Sequence, residues 1–515
     1  MLRHRDPSTP SPHSDVLDRS GLEYLRTDGS NLRARTRRAA IFGTAAQFAS
    51  AAIGLLSVAL LSRTLSPDDV GIFAIAAAFL MVLSALSDSG FAYAAEQRDQ
   101  VSHAQVSNLF WANLLLGLAA FAAACGLAPL IARLYGRSEL RDITLALGLA
   151  LLISSLSLQH AALLRRQLYF GRLAVIQVGS RLVGVGVALI VAMRGGGYLA
   201  LVAQELSVAI AKALGAWLLC SWRPAPPQRG VGAMPLVRMG FGRSLAEVLG
   251  VIRRQVDVFL VGWFLGPEAL GLYNRSLGLF AQPLTTAIGP LTRVALPALS
   301  RVQSDPVRFR AAMTEGVGAL ACVTVPLCGF VAVGSDGLVA AVLGPTWQGV
   351  SPIMRSMVLG MTVTCLFWPA LAWGFSARGL TSLQARWAAA ALVTAAAFSA
   401  AGSMFGPAGA GWGMSLAACI TLPTGSLWAL RGSGVLLRDL VSVMFMPILG
   451  SVSASAVTSV VLVYASPAHA TTSTLLALAT YLVVYGAAFV CSARGRSQLS
   501  HVGAVVLGRA GQISS

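Results

Sequence analysis

The chain contains about fourteen apolar runs, each close to the roughly 20 residues needed to cross a lipid bilayer. They begin near Ala39, Gly71, Ser107, Asp142, Leu173, Gly197, Met239, Gly271, Ala312, Ser351, Ser382, Gly409, Arg438 and Thr471. Hydrocarbon offers no water to backbone N–H and C=O groups, so runs of this length must satisfy them internally, as helices. Only 11% of the 515 residues are charged and 56% are hydrophobic, whereas a soluble domain carries about a quarter charged residues. The expected fold is an all-α integral membrane protein with about 14 transmembrane helices.

Two stretches between these runs repeat one another 200 residues apart. Leu65-Ser66-Pro67-Asp68-Asp69-Val70-Gly71-Ile72-Phe73 aligns with Leu265-Gly266-Pro267-Glu268-Ala269-Leu270-Gly271-Leu272-Tyr273, with Leu, Pro, Gly, an acidic residue and a final aromatic in register. Taken alone, each is good turn chemistry. Ser66 or Gly266 caps the next helix, Pro suits its first position, and Asp68 or Glu268 favours its positive end. Recurrence at the same place in each half argues for duplication. The offset pairs span one with seven and span two with eight, which makes a six-helix repeat. Six is even, so both halves enter from the same side, as parallel repeats. Such internal duplication is a common build of secondary transporters, with the substrate site between the halves.

The expected organisation runs as a disordered cytoplasmic tail over 1–38, an N-lobe over 39–222 (spans one to six) and a cytoplasmic connector over 223–238. A C-lobe over 239–431 (spans seven to twelve), spans thirteen and fourteen over 432–492, and a cytoplasmic tail over 493–515 complete it. The first apolar run starts only at Ala39, after a polar stretch rich in Ser, Pro and Arg, which is unlike a cleavable signal. Net charge is +18, yet topology accounts for it. With the N-terminus inside, only Arg63, Arg133, Arg137, Arg141 and Arg194 fall outside, against a large inner majority that includes Arg165, Arg166, Arg172, Arg223, Arg229, Arg301, Arg308, Arg310, Arg494 and Arg496. That positive-inside bias puts both termini in the cytoplasm and makes nucleic acid an unneeded partner. The seven cysteines lie scattered in apolar segments with no C-x-x-C pair and read as small buried thiols, with no metal site.

Span seven carries Arg243, Glu247, Arg253, Arg254 and Asp257. At about 100° per residue, Arg243, Glu247, Arg254 and Asp257 share a stripe roughly 80° wide, with Arg253 beside it. A charge at mid-bilayer costs about 2.5–3.5 kcal/mol on the insertion scale, so these groups must face protein or water. Pairing within the helix is the bland alternative, since Asp257 is four residues from Arg253 and three from Arg254, and Arg243 is four from Glu247. Two midplane arginines against one aspartate still leave positive charge over, which favours a cationic, water-lined cavity. Arg181 in span five, Glu205 and Lys212 in span six, and Asn274 and Arg275 in span eight are the further polar groups within spans. Glu205 and Lys212 are as readily a structural lock, Arg275 near the outer end is placed to snorkel, and Asp88 and Arg355 lie close to span ends. A cationic cavity calls for an anionic substrate, and guanidinium binds phosphate in planar, bidentate fashion. Asp257 and Glu205 (with Lys212 beside it) are the mid-span candidates for ion coupling.

An ordered set of short pieces resembles a known family. The pieces are Leu61-Ser62-Arg63 to Gly71, Leu86-Ser87-Asp88-Ser89-Gly90-Phe91, Phe110-Trp111 with Asn113, and Arg165-Arg166-Gln167-Leu168-Tyr169-Phe170. They continue with Asp257 before Gly262 and Leu265-Gly266, then Gly271-Leu272-Tyr273-Asn274-Arg275, Pro297-Ala298-Leu299-Ser300-Arg301, and Asp305-Pro306 with Arg308-Phe309-Arg310. Over about residues 40–430 the chain resembles the bacterial oligosaccharide flippases of polysaccharide biosynthesis, in the superfamily that also holds multidrug and toxin extruders. The resemblance implies two six-helix lobes in a V, plus two C-terminal helices, working by alternating access in the bacterial inner membrane. It implies an undecaprenyl-diphosphate-linked oligosaccharide repeat unit as substrate, moved from the cytoplasmic to the periplasmic leaflet for exopolysaccharide, capsule or O-antigen synthesis. It further implies no cofactor beyond a proton or sodium gradient or the membrane potential, a monomer, and polymerase and export machinery as partners. A drug-extrusion antiporter is the runner-up, although a pump for cations would want an acidic cavity. A membrane polymerase fits less well, because the outer connections are short and hold no clustered His or Glu; the chain reads as a transporter rather than an enzyme.

Overall fold

The computed structural model describes residues 32–87, 101–228, 234–303, 305–377, 381–431, 433–465 and 469–491. Helices account for nearly all of them. In chain order they are α1 (Leu32–Leu61), α2 (Pro67–Ser87), α3 (His103–Tyr135), α4 (Glu139–Arg166), α5 (Phe170–Met193) and α6 (Leu199–Leu219). A continuous stretch, Met234–Ser276, follows, but Gly266 interrupts it with φ 81° and ψ 178°. That break, immediately before Pro267, divides it into α7 (234–265) and α8, which continues through a π-helical turn at Leu277–Ala281 into Gln282–Arg301. The remainder are α9 (Pro306–Val342), α10 (Val350–Ala377), α11 (Thr381–Ser403), α12 (Gly406–Ala429), α13 (Leu437–Ala465) and α14 (Ala470–Cys491). These fourteen helices match the fourteen expected spans one for one. Eleven stretches among the described residues are long and apolar enough to cross a membrane, one of them (Gly250–Gly289) taking in both α7 and α8. The Ala- and Gly-rich α11 and α12 fall below that level. The N-terminal tail through residue 31, Asp88 and the C-terminal tail expected over 493–515 lie outside the described residues.

Helix ends follow local chemistry. Ser66 and Asp69 form a reciprocal cap at the start of α2: the Asp69 N–H donates to Ser66 Oγ (3.1 Å), while Ser66 N–H and Oγ–H donate to Asp69 Oδ2 (3.0 and 2.7 Å). Asp68 lies in the first turn of α2 as expected, and Asp69 beside it supplies the reciprocating carboxylate. Ser102 with Gln105 caps α3 in the same way, and Asp305 before Pro306 caps α9. Arg223 closes α6 by donating to the carbonyls of Trp217, Cys220 and Trp222.

The connector after α6 is held rather than loose over its described part. Asn108 on α3 exchanges two hydrogen bonds with the Gln228 backbone (2.6 and 2.9 Å), Trp111 Nε1 donates to Ala225 O, and Ala225 N donates to Ser107 Oγ. With three prolines unable to donate, an extended segment needs side-chain partners of this kind.

Packing divides the chain into two compact units. Among the described residues, the first holds those up to Ser50 and those within Phe79–Val191 and Leu199–Ile252, and the second holds those within Ala51–Ala78 and Ala192–Tyr198 and from Arg253 onward. In the first, α4 packs on both α3 and α6, and an aromatic cluster of Phe110, Trp217, Trp222 and the buried His160 fills the space between them. In the second, α9 packs on α8, α10, α13 and α14, and α12 on α10 and α11. Small residues bring α10 and α12 together. Ser415 Oγ donates to Ser356 O (2.7 Å) and accepts from Gly360 N (3.1 Å), and a Cβ at Gly411 would overlap Ser356 Oγ. Lipid tails supply no hydrophobic drive between helices, so close backbone approach and hydrogen bonds of this kind hold such pairs. All seven cysteines are free thiols.

Candidate functional site

The polar residues expected in the spans fall into three groups. The side chains of Arg243 and Glu247 lie outside those described. Arg181 on α5 and Glu205 and Lys212 on α6 all lie in the first unit, with Arg181 and Glu205 exposed and Lys212 half-buried.

The second unit holds Arg253, Arg254 and Asp257 on α7 and Asn274 and Arg275 on α8. Arg253 is half-buried, with its guanidinium carbon 4.3 Å from the centre of the Trp368 ring on α10. Stacking of this kind is worth about 0.5–2 kcal/mol and fixes the plane of the fork without using its edge donors. Arg254, one residue on, is exposed. Asp257 is buried, and its partner is neither arginine. The Tyr273 hydroxyl donates to Asp257 Oδ2 at 2.7 Å and also approaches Met414 Sδ at 3.5 Å. The hydrogen bond that Asp257 accepts thus comes from α8 rather than from an arginine of its own helix. Asn274 is half-buried.

Arg275 does not snorkel. It is 6% exposed, lies 5.4 Å from the Trp347 ring centre, and its Nε and Nη2 have no hydrogen-bond partner among the described residues. Arg355 has a structural role: it pairs with Asp336 and donates from Nε to Ser335 Oγ (3.0 Å), tying α10 to the end of α9.

Tyr273, Trp368 and Met414 were not among the site residues expected from the sequence. Tyr273 had a signal, since it is the aromatic that ends the repeated turn, at the position of Phe73 in the first copy. Trp368 and Met414 had none, because only the packing of α10 and α12 brings them to α7 and α8. Among the described residues no group of three or more His, Cys, Asp or Glu is placed to hold a metal ion.

The architecture has counterparts among solved structures. It resembles the lipid II flippase MurJ in an inward closed conformation with a TM-score of 0.68 and 15% identity, over 87% of this chain and 98% of that one. It also resembles an inward-facing multidrug resistance transporter of the MATE family with a TM-score of 0.55 and 14% identity, over 78% and 95% of the two chains. The fold is thus the all-helical, multi-pass membrane fold that those two proteins share. More particularly, residues 60–352 match the family model described as "Polysaccharide biosynthesis protein", and the chain belongs to that family. Curated relatives include the teichuronic acid biosynthesis protein TuaB of Bacillus subtilis, 28% identical over 53% of this chain and 57% of TuaB. The lipopolysaccharide biosynthesis protein WzxC of Escherichia coli is 22% identical over 64% of this chain and 68% of WzxC. The succinoglycan biosynthesis transport protein ExoT of Rhizobium meliloti is 22% identical over 60% and 63%. The chain therefore spans little more than half the length of TuaB and about two-thirds of the other two.

Proposed function

We propose that this protein is a flippase that carries polyprenyl-diphosphate-linked oligosaccharide repeat units from the cytoplasmic to the outer leaflet of the bacterial inner membrane. The observation that carries the reading is the adjacent pair Arg253 and Arg254, inside a membrane helix, in a chain of a polysaccharide biosynthesis family. Trp368 holds the Arg253 plane while its edge N–H groups stay available to paired phosphate oxygens, the geometry that favours arginine over lysine. Arg254 adds a second, exposed cation one residue away. Asp257 is engaged by Tyr273, and two arginines against that one carboxylate make this stretch of α7 net basic, as an anion requires. A drug pump for cations would need the opposite sign.

Both termini lie in the cytoplasm in this reading, following the distribution of arginine. Asp257 is the proton-coupling candidate on α7 and Glu205, with Lys212 seven residues further along the same helix, the candidate on α6, with proton, sodium or membrane potential as the driving force. The protein acts as a monomer and no reaction is catalysed; the polymerase and export machinery receive its product. Asn274, half-buried on α8 of the same unit, completes the proposed polar lining.

The test is depletion of the protein in its host, with lipid-linked oligosaccharides measured by mass spectrometry and by accessibility from each leaflet. Intact repeat units accumulating on the cytoplasmic face, and not cleared by Arg254→Ala, support the reading. Units that reach the outer face but stay unpolymerised would indicate a later step instead, and unchanged lipid-linked sugars would point to drug extrusion.

A further inference from the structure

The connection from α12 to α13, with the first turns of α11 beside it, forms a basic pocket whose lining includes none of Arg253, Arg254, Asp257 or Trp368. Arg386 on α11 and Arg431, two residues past α12, line a cavity of about 370 Å³ together with Leu383 and Trp428. Arg431 also lines a second cavity of about 380 Å³, walled by Leu427 and Leu430 at the end of α12 and by Val435, Leu436 and Leu437 at the start of α13. Among the described residues neither lining holds a carboxylate. Asp439, the acid nearest in sequence, is already engaged: Arg310 on α9 donates to its Oδ1 (2.6 Å) and the Leu436 N–H to its Oδ2 (2.9 Å). Arg386 and Arg431 are both exposed, as is Arg438 in the first turn of α13.

The walls of the pocket are fixed. Trp387, buried next to Arg386, donates its indole N–H to Thr421 O (3.0 Å), and a Cβ on Gly425 would overlap that indole. Close approach of this kind gives α11 and α12 one setting at this end. Beside the arginines lies bare apolar surface, since Leu427, Trp428 and Leu436 are all more than 40% exposed. Cation next to exposed hydrocarbon suits an amphiphile better than a free ion. With both termini inside, α11 and α13 begin and α12 ends on the cytoplasmic side, where anionic lipid gathers and basic pockets between helices take its phosphates. Tryptophan is characteristic of that interface. Moreover, α11 and α12 are the two helices that fall below the apolar level of the other spans, so hydrocarbon holds them least firmly and a bound headgroup would add most there.

We infer that this pocket is a binding site for an acidic phospholipid of the cytoplasmic leaflet, with its phosphate between Arg386 and Arg431 and its acyl chains against Leu427, Trp428 and Leu436. Guanidinium groups from two elements reach a phosphate from two sides, and their forks match its oxygens. The inference rests on the cytoplasmic placement of both termini and is independent of what the protein carries.

The experiment is native mass spectrometry of the full chain in detergent, titrated with phosphatidylglycerol or with phosphatidylethanolamine. Phosphatidylglycerol should bind about tenfold more tightly or better, and Arg386→Gln with Arg431→Gln should remove that preference. Arg165→Gln with Arg172→Gln takes the same charge from cytoplasmic helix ends of the first unit and should leave the preference within about twofold. Arg386→Lys with Arg431→Lys, which keeps the charge and loses the forks, should weaken binding severalfold and decides the matter if the glutamine pair fails to fold. Equal binding of the two lipids, or an equal loss in both glutamine pairs, would overturn the inference. Displacement of phosphatidylglycerol by equimolar inorganic phosphate would assign the pocket to a soluble anion, and displacement by equimolar polyprenyl diphosphate would assign it to the carried lipid; either result overturns it. A lipid preference that holds as expected, beside unchanged lipid-linked sugars in depleted cells, would discard the flippase reading and keep this site.

Discussion

The two copies of the repeated turn share a backbone surface, where a Cβ on Gly71 would overlap the Pro267 carbonyl and one on Gly271 the Pro67 carbonyl, and differ in almost everything else. The first is secured by side chains, through the Ser66–Asp69 cap and the bond from Asp69 to Tyr198. The second has Gly266 and Ala269 at those positions and makes its turn by backbone alone, through the positive φ of Gly266. The offset of 200 also sets Ile53 against Arg253, Gly54 against Arg254, Ser57 against Asp257, Phe73 against Tyr273 and Ile75 against Arg275. The polar site is thus an elaboration of the second copy. Duplication kept what both copies need in order to meet, the proline carbonyl and the glycine that packs on it, and left the remaining positions free to diverge. The lesson is that a symmetric contact and an asymmetric site can be built on one repeat, because backbone geometry and side-chain chemistry are separable.

The comparison can be broken most directly at the shared surface. Gly71→Val and Gly271→Val should each abolish export, and to the same degree, since each places side-chain atoms on the partner's carbonyl; complementation of an export-deficient host reads this, and tolerance at one position alone would end the symmetry argument. Next in size, Arg253→Gln should lower export flux by on the order of tenfold to a hundredfold, the loss expected when one charged partner of an anion is removed. Ile53→Gln, its counterpart, should stay within a fewfold of the unmodified chain.

Tyr273→Phe makes the second copy resemble the first and strips Asp257 of its donor. An unsatisfied buried acceptor costs about 1–3 kcal/mol, which should appear as a lower melting temperature in detergent, recovered in the double variant Tyr273→Phe with Asp257→Leu. Phe73→Leu should cost less than Tyr273→Phe does. Smallest are the turn variants. Asp69→Ala removes a reciprocal cap worth about 1 kcal/mol, and Gly266→Ala forces a side chain into a backbone region that costs of order 1–3 kcal/mol outside glycine. Ala269→Asp, which supplies the second copy with the first copy's acid, should change stability by less than about 0.5 kcal/mol, because Gly266 offers no hydroxyl to reciprocate.

Much of this molecule was legible in its sequence. Fourteen apolar runs became fourteen helices because, in a bilayer, span length and backbone satisfaction are local properties of the chain. The duplication was legible because Pro and Gly constrain φ and close approach wherever they occur. The charges on α7 stood out because each is costly at that depth. Tertiary structure alone decided their partners. Spacing offered Asp257 two arginines on its own helix, yet Tyr273 from α8 holds it. Arg253 stacks on Trp368, more than 100 residues away. Arg275 is buried under Trp347 where a flexible side chain near a helix end would be expected to reach for water. In each case the chain's own pattern marked which group needed a partner, and the packing of distant helices chose one, since a helix reports its own face but not what is laid against it.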